Sequence, residues 1–126
     1  MTNIIYKELS ETVIGLVYQV HKILGPGLLE SAYENAVCWE LKYADIPYQQ
    51  QQAFPLFYKG DIIGNYITDV VVDNKIILEL KSVKELTELM TAQLLHNLKL
   101  TKMPVGYLIN FNSLSVDCKR YENSSV

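Results

Sequence analysis

Two carboxylates and a lysine lie close together in an otherwise mostly apolar stretch, Ile67 to Ser82, with Asp69 near its start and Glu79 and Lys81 near its end. Burying charges in such surroundings costs free energy unless the charges are paired or bind a cation. Carboxylate and main-chain oxygens suit hard ions such as Mg²⁺ and Mn²⁺. Such an ion activates a bound water and neutralises phosphoryl charge, and a neighbouring lysine could orient that water or stabilise the charged intermediate. These residue types therefore predict a site for a metal ion and a phosphate.

The same stretch has the pattern of a β-hairpin, because two β-branched runs flank the turn signal Asp73-Asn74. Side chains two residues apart on a strand face the same side, so Glu79 and Lys81 share one face of the sheet. Asp69 belongs to the partner strand. Its position relative to Glu79 therefore depends on the turn.

The length of the turn decides which side Asp69 faces. A strict two-residue loop would turn Asp69 away from Glu79. A three-residue loop over residues 72–74, with Asn74 in the left-handed region that asparagine tolerates, would place Asp69 opposite Ile77 and diagonal to Glu79. The site hypothesis therefore predicts a bulged hairpin or an equivalent distortion at Asp69. The alternative needs no site, since a surface aspartate and a strand-end Glu–Lys pair often have this spacing by chance.

The helices and strands that must position these groups follow from the apolar pattern. Helical spacing predicts three helices, over residues 4–23, 29–44 and 85–102. Extended patterns predict four strands, over residues 48–58, 62–72, 75–82 and 105–111. A polar tail from residue 112 could add a short strand. The order α-α-β-β-β-α-β predicts a small mixed sheet flanked by helices, with the last of the four strands parallel to the third.

Composition is that of an ordinary globular chain, with 126 residues, 49% hydrophobic and 20% charged. This length fits one domain over residues 1–126. No apolar run approaches the roughly 18–20 residues that span a bilayer, and the N-terminus lacks the features of a secretory signal, so we expect a cytoplasmic protein without membrane contact. The net charge of −3 argues against broad non-specific binding to nucleic acid, although a carboxylate-lined metal site itself adds negative charge.

The cysteines and histidines give no signal for a metal site. Cys38 and Cys118, the only cysteines, have neither a second cysteine nor a histidine at zinc-finger spacing. His21 and His96 follow helical patterns. All four are predicted to be structural or incidental rather than ligands.

Four segments resemble a known family. Gly27-Leu-Leu-Glu30-Ser-Ala-Tyr33 resembles the Gly-x-x-Glu-x-x-Tyr signature of the GxxExxY protein family, which is assigned to the PD-(D/E)XK nuclease superfamily. Asp69 with Glu79-Leu80-Lys81 is similar to the core motif of that superfamily. The segments 92–101 and 105–112 resemble the helix and strand that follow the motif, so the resemblance runs over about residues 8–121.

The resemblance implies an α/β fold with a mixed sheet, a restriction-endonuclease-like α-β-β-β-α-β core with an additional N-terminal helix, and a metal-dependent phosphodiesterase site. It assigns roles at this site to six residues: Glu30, Asp69, Glu79, Leu80, Lys81 and Gln93. The three acids would bind the metal together with the carbonyl oxygen of Leu80. Lys81 would be the catalytic lysine, and Gln93 the polar residue of the following helix.

Three positions depart from the family pattern or have two interpretations. Asn97 stands where a tyrosine is expected, and Thr68 rather than proline precedes Asp69. Tyr33 lies one turn from Glu30 and is either part of the site or a half-buried core tyrosine. Neither departure removes a charged residue of the predicted site.

The leading hypothesis is a nuclease that hydrolyses phosphodiester bonds of DNA or RNA with Mg²⁺, for which Mn²⁺ could substitute. The alternative is a catalytically weak or inactive binding or regulatory module with the same fold. Its motivation is that the lysines are scattered and no basic run interleaved with aromatic residues is present. A homodimer is a further expectation, with the first helix as a candidate interface.

Overall fold

The computed structural model describes residues 4–123, which form three helices and seven strands. In chain order these are α1 Lys7–Leu24, α2 Glu30–Tyr43, β1 Tyr48–Gln50, β2 Ala53–Tyr58, β3 Asp61–Ile67, β4 Val70–Val72, β5 Ile76–Lys81, α3 Glu88–Thr101, β6 Val105–Asn110 and β7 Asp117–Glu122. The predicted mixed α/β class is confirmed. None of the helices within this range has both the length and the apolarity to cross a membrane.

Five strands form one mixed sheet in the order β1-β4-β5-β6-β7. All neighbours are antiparallel except β5 and β6, which run parallel and are connected through α3. The predicted parallel relation between these two strands is therefore confirmed. β5 lies in the middle of the sheet, which explains why Ile76 to Leu80 are all buried.

The two strands predicted over residues 48–58 and 62–72 are each divided in the structure. Their outer parts, β1 and β4, join the main sheet, whereas β2 and β3 pair with each other in a separate two-stranded sheet. The break follows from Gln51, which adopts a φ of 57°. Its N–H donates to Asp69 O at 3.0 Å, and the N–H of Thr68 donates to Gln52 O at 2.9 Å. Both chains therefore leave the main sheet at the same point, and Asp69 lies at that point.

The polar tail contributes the last strand of the sheet. β7 pairs antiparallel with the whole length of β6, from Val105 opposite Glu122 to Asn110 opposite Asp117. The tail therefore adds a strand of six residues, as the sequence allowed.

The two faces of the main sheet are covered by different helices. Leu78 and Leu80 of β5 belong to the apolar cluster formed with α1 and α2, whereas Ile77 belongs to the smaller cluster formed with α3. Since side chains alternate along a strand, Glu79 and Lys81 face the side of α3. A Cβ on Gly106 would lie 2.9 Å from a methyl carbon of Leu98, so the missing side chain allows α3 to lie close to β6.

The start of α3 is three residues later than the sequence pattern predicts. Thr87 is the N-cap, and its hydroxyl oxygen accepts a hydrogen bond from the N–H of Met90 at 3.2 Å. The helix ends at Thr101. Its C-cap, Lys102, has a φ of 59° and precedes the predicted breaker Pro104 by two residues. These two ends fix which α3 side chains reach the sheet beside Glu79.

Candidate active site

The turn between β4 and β5 has the predicted length but a different position. Val72 pairs with Ile76, so the three connecting residues are 73–75 and not the predicted 72–74. Asp73 and Asn74 both adopt left-handed φ values, 48° and 53°. Two successive left-handed residues reverse the chain direction. Lys75, the third residue of the loop, makes the loop odd in length, as the site hypothesis requires.

This turn brings Asp69 to the face of Glu79. Val70 pairs with Leu78, and one further step in the same register places Asp69 opposite Glu79. The predicted partner of Asp69 was Ile77, two residues before Glu79, so the predicted register is wrong. The shared face is nevertheless retained, because a shift of two residues does not change the side to which a side chain points.

A cavity of about 510 Å³ lies between the end of β5, the strand β3 and the helix α3. It is lined by Tyr66, Ile67, Asp69, Glu79, Lys81, Leu89, Ala92, Gln93, His96 and Asn97. Four of the six predicted site residues are therefore brought together by side chains that face one space. This volume is within the range of ordinary ligand sites.

Glu79 is the most enclosed charged residue of the cavity, with 6% of its surface exposed. One of its carboxylate oxygens accepts hydrogen bonds from the Tyr66 hydroxyl at 2.5 Å and from the Asn97 side-chain amide at 2.8 Å. Both donors are neutral: the Asn97 amide does not titrate, and burial, followed by the charge of Glu79, raises the pKa of the Tyr66 hydroxyl. The buried carboxylate is thus hydrogen-bonded and has no ion pair with any residue from 4 to 123.

Asp69 is a half-buried carboxylate whose ionised form is disfavoured. Burial raises its pKa to about 6, and the negative charges of Glu34 and Glu79 act in the same direction. The N–H of Leu80, which donates to one oxygen of Asp69 at 2.8 Å, and the charge of Lys81 act in the opposite direction. The Leu80 N–H and the charge of Lys81 thus only partly stabilise the Asp69 carboxylate, and a cation bound beside it would stabilise the ionised form further.

The main chain of β5 directs the carbonyl of Leu80 toward Asp69. The N–H of Phe111 donates to Lys81 O at 2.9 Å, so this carbonyl faces β6. Carbonyls of successive strand residues point to opposite edges, and the N–H and C=O of one residue share an edge. Leu80 therefore presents both its N–H and its C=O to the edge where Asp69 lies.

Lys81 lines the cavity and forms no ion pair with any acid between residues 4 and 123. Asn110, its partner in the register of β6, fixes the chain that follows. The Asn110 side chain accepts from the N–H of Val83 at 3.1 Å and donates to Val83 O at 2.9 Å. The main chain around Lys81 is thus held on both sides while its ammonium group remains available to a ligand.

Gln93 lines the cavity from α3 with an exposed side chain. Asn97 lies one helical turn further along and faces the same cavity. The first of these residues was predicted from the resemblance, and the second was noted only as a departure from it. Together they form the wall of the cavity opposite β5.

Glu30 is the predicted acid that the structure does not bring to the cavity. It begins α2, is exposed, and is not among the residues that line this space. The physical reason is that α2 covers the opposite face of the sheet. Glu34, one turn later, is the α2 acid whose charge acts on Asp69. Its carboxylate accepts from the side-chain amides of Gln50 and Gln51 at 2.7 and 2.8 Å.

Tyr33 is a core residue rather than part of the cavity. It is fully buried and stacks on Phe111 with ring centroids 4.5 Å apart. Its hydroxyl donates to Gly25 O at 2.6 Å and accepts from the N–H of Leu28 at 3.1 Å. Of its two interpretations, the structure supports the structural one: Tyr33 fixes the loop that precedes α2.

The histidines differ from one another. His21 is structural as predicted, since it is 8% exposed and its Nε2 lies 2.8 Å from Ser113 O. His96 is exposed and lines the cavity, and the prediction that it is not a ligand stays a prediction. Its helical spacing showed that it lay on α3 but not which element that face would meet.

The cysteines have the character expected of structural residues. Both are free thiols, and burial raises the pKa of Cys38 and that of Cys118 to about 12. The thiols therefore stay protonated at neutral pH, a form that binds metals poorly.

The residues present suit a hard cation that keeps several waters. Across residues 4–123 no group of three or more Asp, Glu, His or Cys side chains is placed to hold a metal ion. Asp69, Glu79 and the carbonyl of Leu80 offer only oxygen, and their number leaves positions for water. Mg²⁺ is usually bound by one or two carboxylates and keeps part of its hydration shell, so the donor set fits this ion.

Comparison with known proteins agrees with this geometry. A family model described as the PD-(D/E)XK nuclease superfamily matches residues 7–121. The match includes every element that lines the cavity. The five-stranded mixed sheet with three helices is consistent with the restriction-endonuclease-like fold of that superfamily. No curated protein and no solved structure gives a significant match.

Proposed function

Because the chain belongs to the PD-(D/E)XK nuclease superfamily, we propose that it is a metal-dependent nuclease that hydrolyses phosphodiester bonds of DNA or RNA. One observation carries this proposal. Two acids, Asp69 and Glu79, and a cation, Lys81, that forms no ion pair within residues 4–123 line the same cavity at the end of β5. In metal-dependent phosphodiester hydrolysis, the bound cation activates a water, and a positive group near the phosphate stabilises the developing charge.

The roles of the residues follow from their positions. When bound, the metal supplies Lewis-acid stabilisation of phosphoryl charge and a water of lowered pKa. Asp69 and Glu79 would hold it through carboxylate oxygens, and Leu80 would offer its carbonyl oxygen. Lys81 orients the attacking water or contacts the phosphate. Gln93, exposed on α3, is placed to contact the substrate backbone.

We extend the proposal to the finer predictions. Mg²⁺ is the proposed ion, with Mn²⁺ as a substitute, and the motif around Glu30 and Tyr33 supports assignment to the GxxExxY family. A cytoplasmic location and a homodimer complete the proposal. The ligand set that the geometry favours is Asp69, Glu79 and Leu80, with Glu30 outside it.

Incubation of the purified protein with Mg²⁺ and labelled single-stranded DNA, double-stranded DNA and RNA tests the activity. We expect cleavage of at least one substrate, loss of cleavage with EDTA, and loss of cleavage in Glu79→Gln. Glu40→Gln on α2 is the matched control, because Glu40 is absent from the cavity lining. Cleavage that survives in Glu79→Gln would show that this site is not responsible for it.

The binding-module alternative keeps one specific observation in its favour. Among the residues that the structure describes, two carboxylates line the cavity, and one oxygen of Glu79 is already occupied by two donors. Isothermal titration with Mn²⁺ separates the two functions. Weak or absent Mn²⁺ binding with no cleavage of any of the three substrates would favour the module, whereas Mn²⁺ binding together with cleavage that depends on Glu79 would favour the nuclease.

A further inference from the structure

Each of the two carboxylates in the cavity has one occupied oxygen and one free oxygen. On Glu79, the Tyr66 hydroxyl and the Asn97 amide both donate to Oε1. On Asp69, the N–H of Leu80 donates to Oδ2. Oε2 of Glu79 and Oδ1 of Asp69 accept no hydrogen bond from any residue in the range 4–123. Each side chain therefore offers one oxygen to a ligand in the cavity.

The donors on Glu79 come from elements that are independent of β5. Tyr66 belongs to β3, which is part of the separate two-stranded sheet, and Asn97 belongs to α3. They approach the same oxygen from two sides of the cavity, so rotation of the carboxylate would break both hydrogen bonds. Breaking them would leave a half-buried hydroxyl and a half-buried amide without a partner, which costs free energy.

We propose that Tyr66 and Asn97 are positioning residues that hold Glu79 as a one-oxygen metal ligand, and that this geometry favours Mg²⁺ over Ca²⁺. The inference rests on the proposed metal site. Mg²⁺ takes six ligands in near-ideal octahedral geometry and retains waters, whereas Ca²⁺ takes six to eight oxygens and commonly uses both oxygens of a carboxylate. Because Oε1 already accepts two hydrogen bonds, Glu79 would not bind Ca²⁺ through both oxygens. It would remain oriented to bind Mg²⁺ through Oε2 alone.

Competition for bound Mn²⁺ tests the inference without an activity assay. The EPR signal of free Mn²⁺ is followed while Mg²⁺ or Ca²⁺ displaces Mn²⁺ from the wild-type protein, from Tyr66→Phe, and from Tyr66→Phe combined with Asn97→Leu. We expect the preference for Mg²⁺ over Ca²⁺ to fall about tenfold in the single variant and further in the double variant, since groups that orient metal ligands change affinity by about 10–100-fold.

The matched control is Tyr121→Phe. Its hydroxyl also lies next to α3, 3.4 Å from the Thr91 hydroxyl, but Tyr121 does not line the cavity. This variant should retain the preference of the wild-type protein.

Two results would overturn the inference while leaving the nuclease proposal intact: an unchanged preference in both variants, or an equal loss of affinity for both ions. The second result would mean that the two donors only maintain the fold. Wild-type protein that binds no Mn²⁺ would overturn this inference and the proposed metal site together.

Discussion

The two faces of the central strand β5 have opposite characters. Toward α1 and α2 it presents Leu78 and Leu80, which are at most 1% exposed and belong to a closed apolar cluster. Toward α3 it presents Ile77, which packs in a second apolar cluster, and then Glu79 and Lys81, which line an open cavity. The pleat of one strand thus separates two demands. The face toward α1 and α2 stabilises the fold by apolar packing. The end of the face toward α3 carries charged side chains, whose burial costs free energy.

The covers of the two faces differ in the same way. Over the first face, Tyr33 and Phe111 stack and exclude water. Over the charged end of the second face, Tyr66 and Asn97 supply polar groups that donate to Glu79. Substitutions on the first face should therefore act on stability, and those on the second should act on chemistry.

The largest expected effect is on the apolar face. Leu78→Ala removes a fully buried side chain next to α1 and α2, and it should lower the free energy of unfolding by about 2–5 kcal/mol. Urea denaturation of the metal-free protein measures this. Leu114→Ala is the control, because Leu114 is 97% exposed and its loss should change stability by no more than about 0.5 kcal/mol. Similar costs for both variants would contradict the assignment of the core.

On the charged face, Lys81→Met should remove activity and leave the fold stable. Loss of a group that stabilises developing charge lowers kcat by about 10²–10³-fold. The free energy of unfolding should change little, because Lys81 forms no ion pair among the described residues. Single-turnover cleavage and urea denaturation are measured on the same preparation.

Lys99→Met provides the comparison for Lys81→Met. Lys99 is also a lysine but is exposed on α3 outside the cavity lining. It should retain the activity of the wild-type protein. A loss of stability in Lys81→Met that matched its loss of activity would show that the charged end of β5 also supports the fold.

The pH dependence of the free energy of unfolding should measure the cost of ionising Asp69 on the charged face. The pKa of Asp69 is raised from 3.8 to about 6 in the folded protein, so the folded state binds more protons than the unfolded state between these values. The contribution of Asp69 to stability is thus fully present below about pH 4 and is lost as the pH rises through 6. From pH 4 to pH 7.5 the metal-free protein should lose about 1–3 kcal/mol through this group.

Asp69→Asn removes the titrating carboxyl and should flatten this part of the pH profile. Urea denaturation in EDTA at several pH values compares it with the wild-type protein. At pH 7.5 the variant should be the more stable of the two, and it should not bind Mn²⁺. A wild-type profile that keeps its slope in the variant would assign the dependence to another group.

The sequence was sufficient for features that depend on local pattern. The alternation along β5, the position of α3 and the shared face of Glu79 and Lys81 all follow from spacing. The face of Asp69 was also predicted, because it needs only an odd-length turn. The turn lies one residue later than predicted, since Asp73 and Asn74 both adopt left-handed φ.

Features that depend on tertiary contacts could not be predicted. The division of residues 48–58 and 62–72 into two sheets rests on hydrogen bonds between residues 51–52 and 68–69, which are distant in sequence. The separate two-stranded sheet is what brings Tyr66 to Glu79, so no spacing indicated that contact. Asn97 was detectable, since it lies one helical turn from Gln93 on the same face. At this position, where the family pattern has a tyrosine, the Asn97 side-chain amide donates to Glu79.

The smallest expected effect concerns Asp69, at the edge of the charged face, and asks whether Glu30 or Glu34 of α2 influences its pKa. The resemblance assigns Glu30 to the site, whereas in the structure it is the charge of Glu34 that acts on Asp69. In metal-free protein, Glu34→Gln should lower the pKa of Asp69, because it removes a negative charge that raises this pKa. Glu30→Gln should leave that pKa unchanged. Titration of the Asp69 carboxyl carbon by NMR measures both. An equal fall in Glu30→Gln would show that the charge of Glu30, at the first turn of α2, acts on Asp69 as strongly as that of Glu34 does.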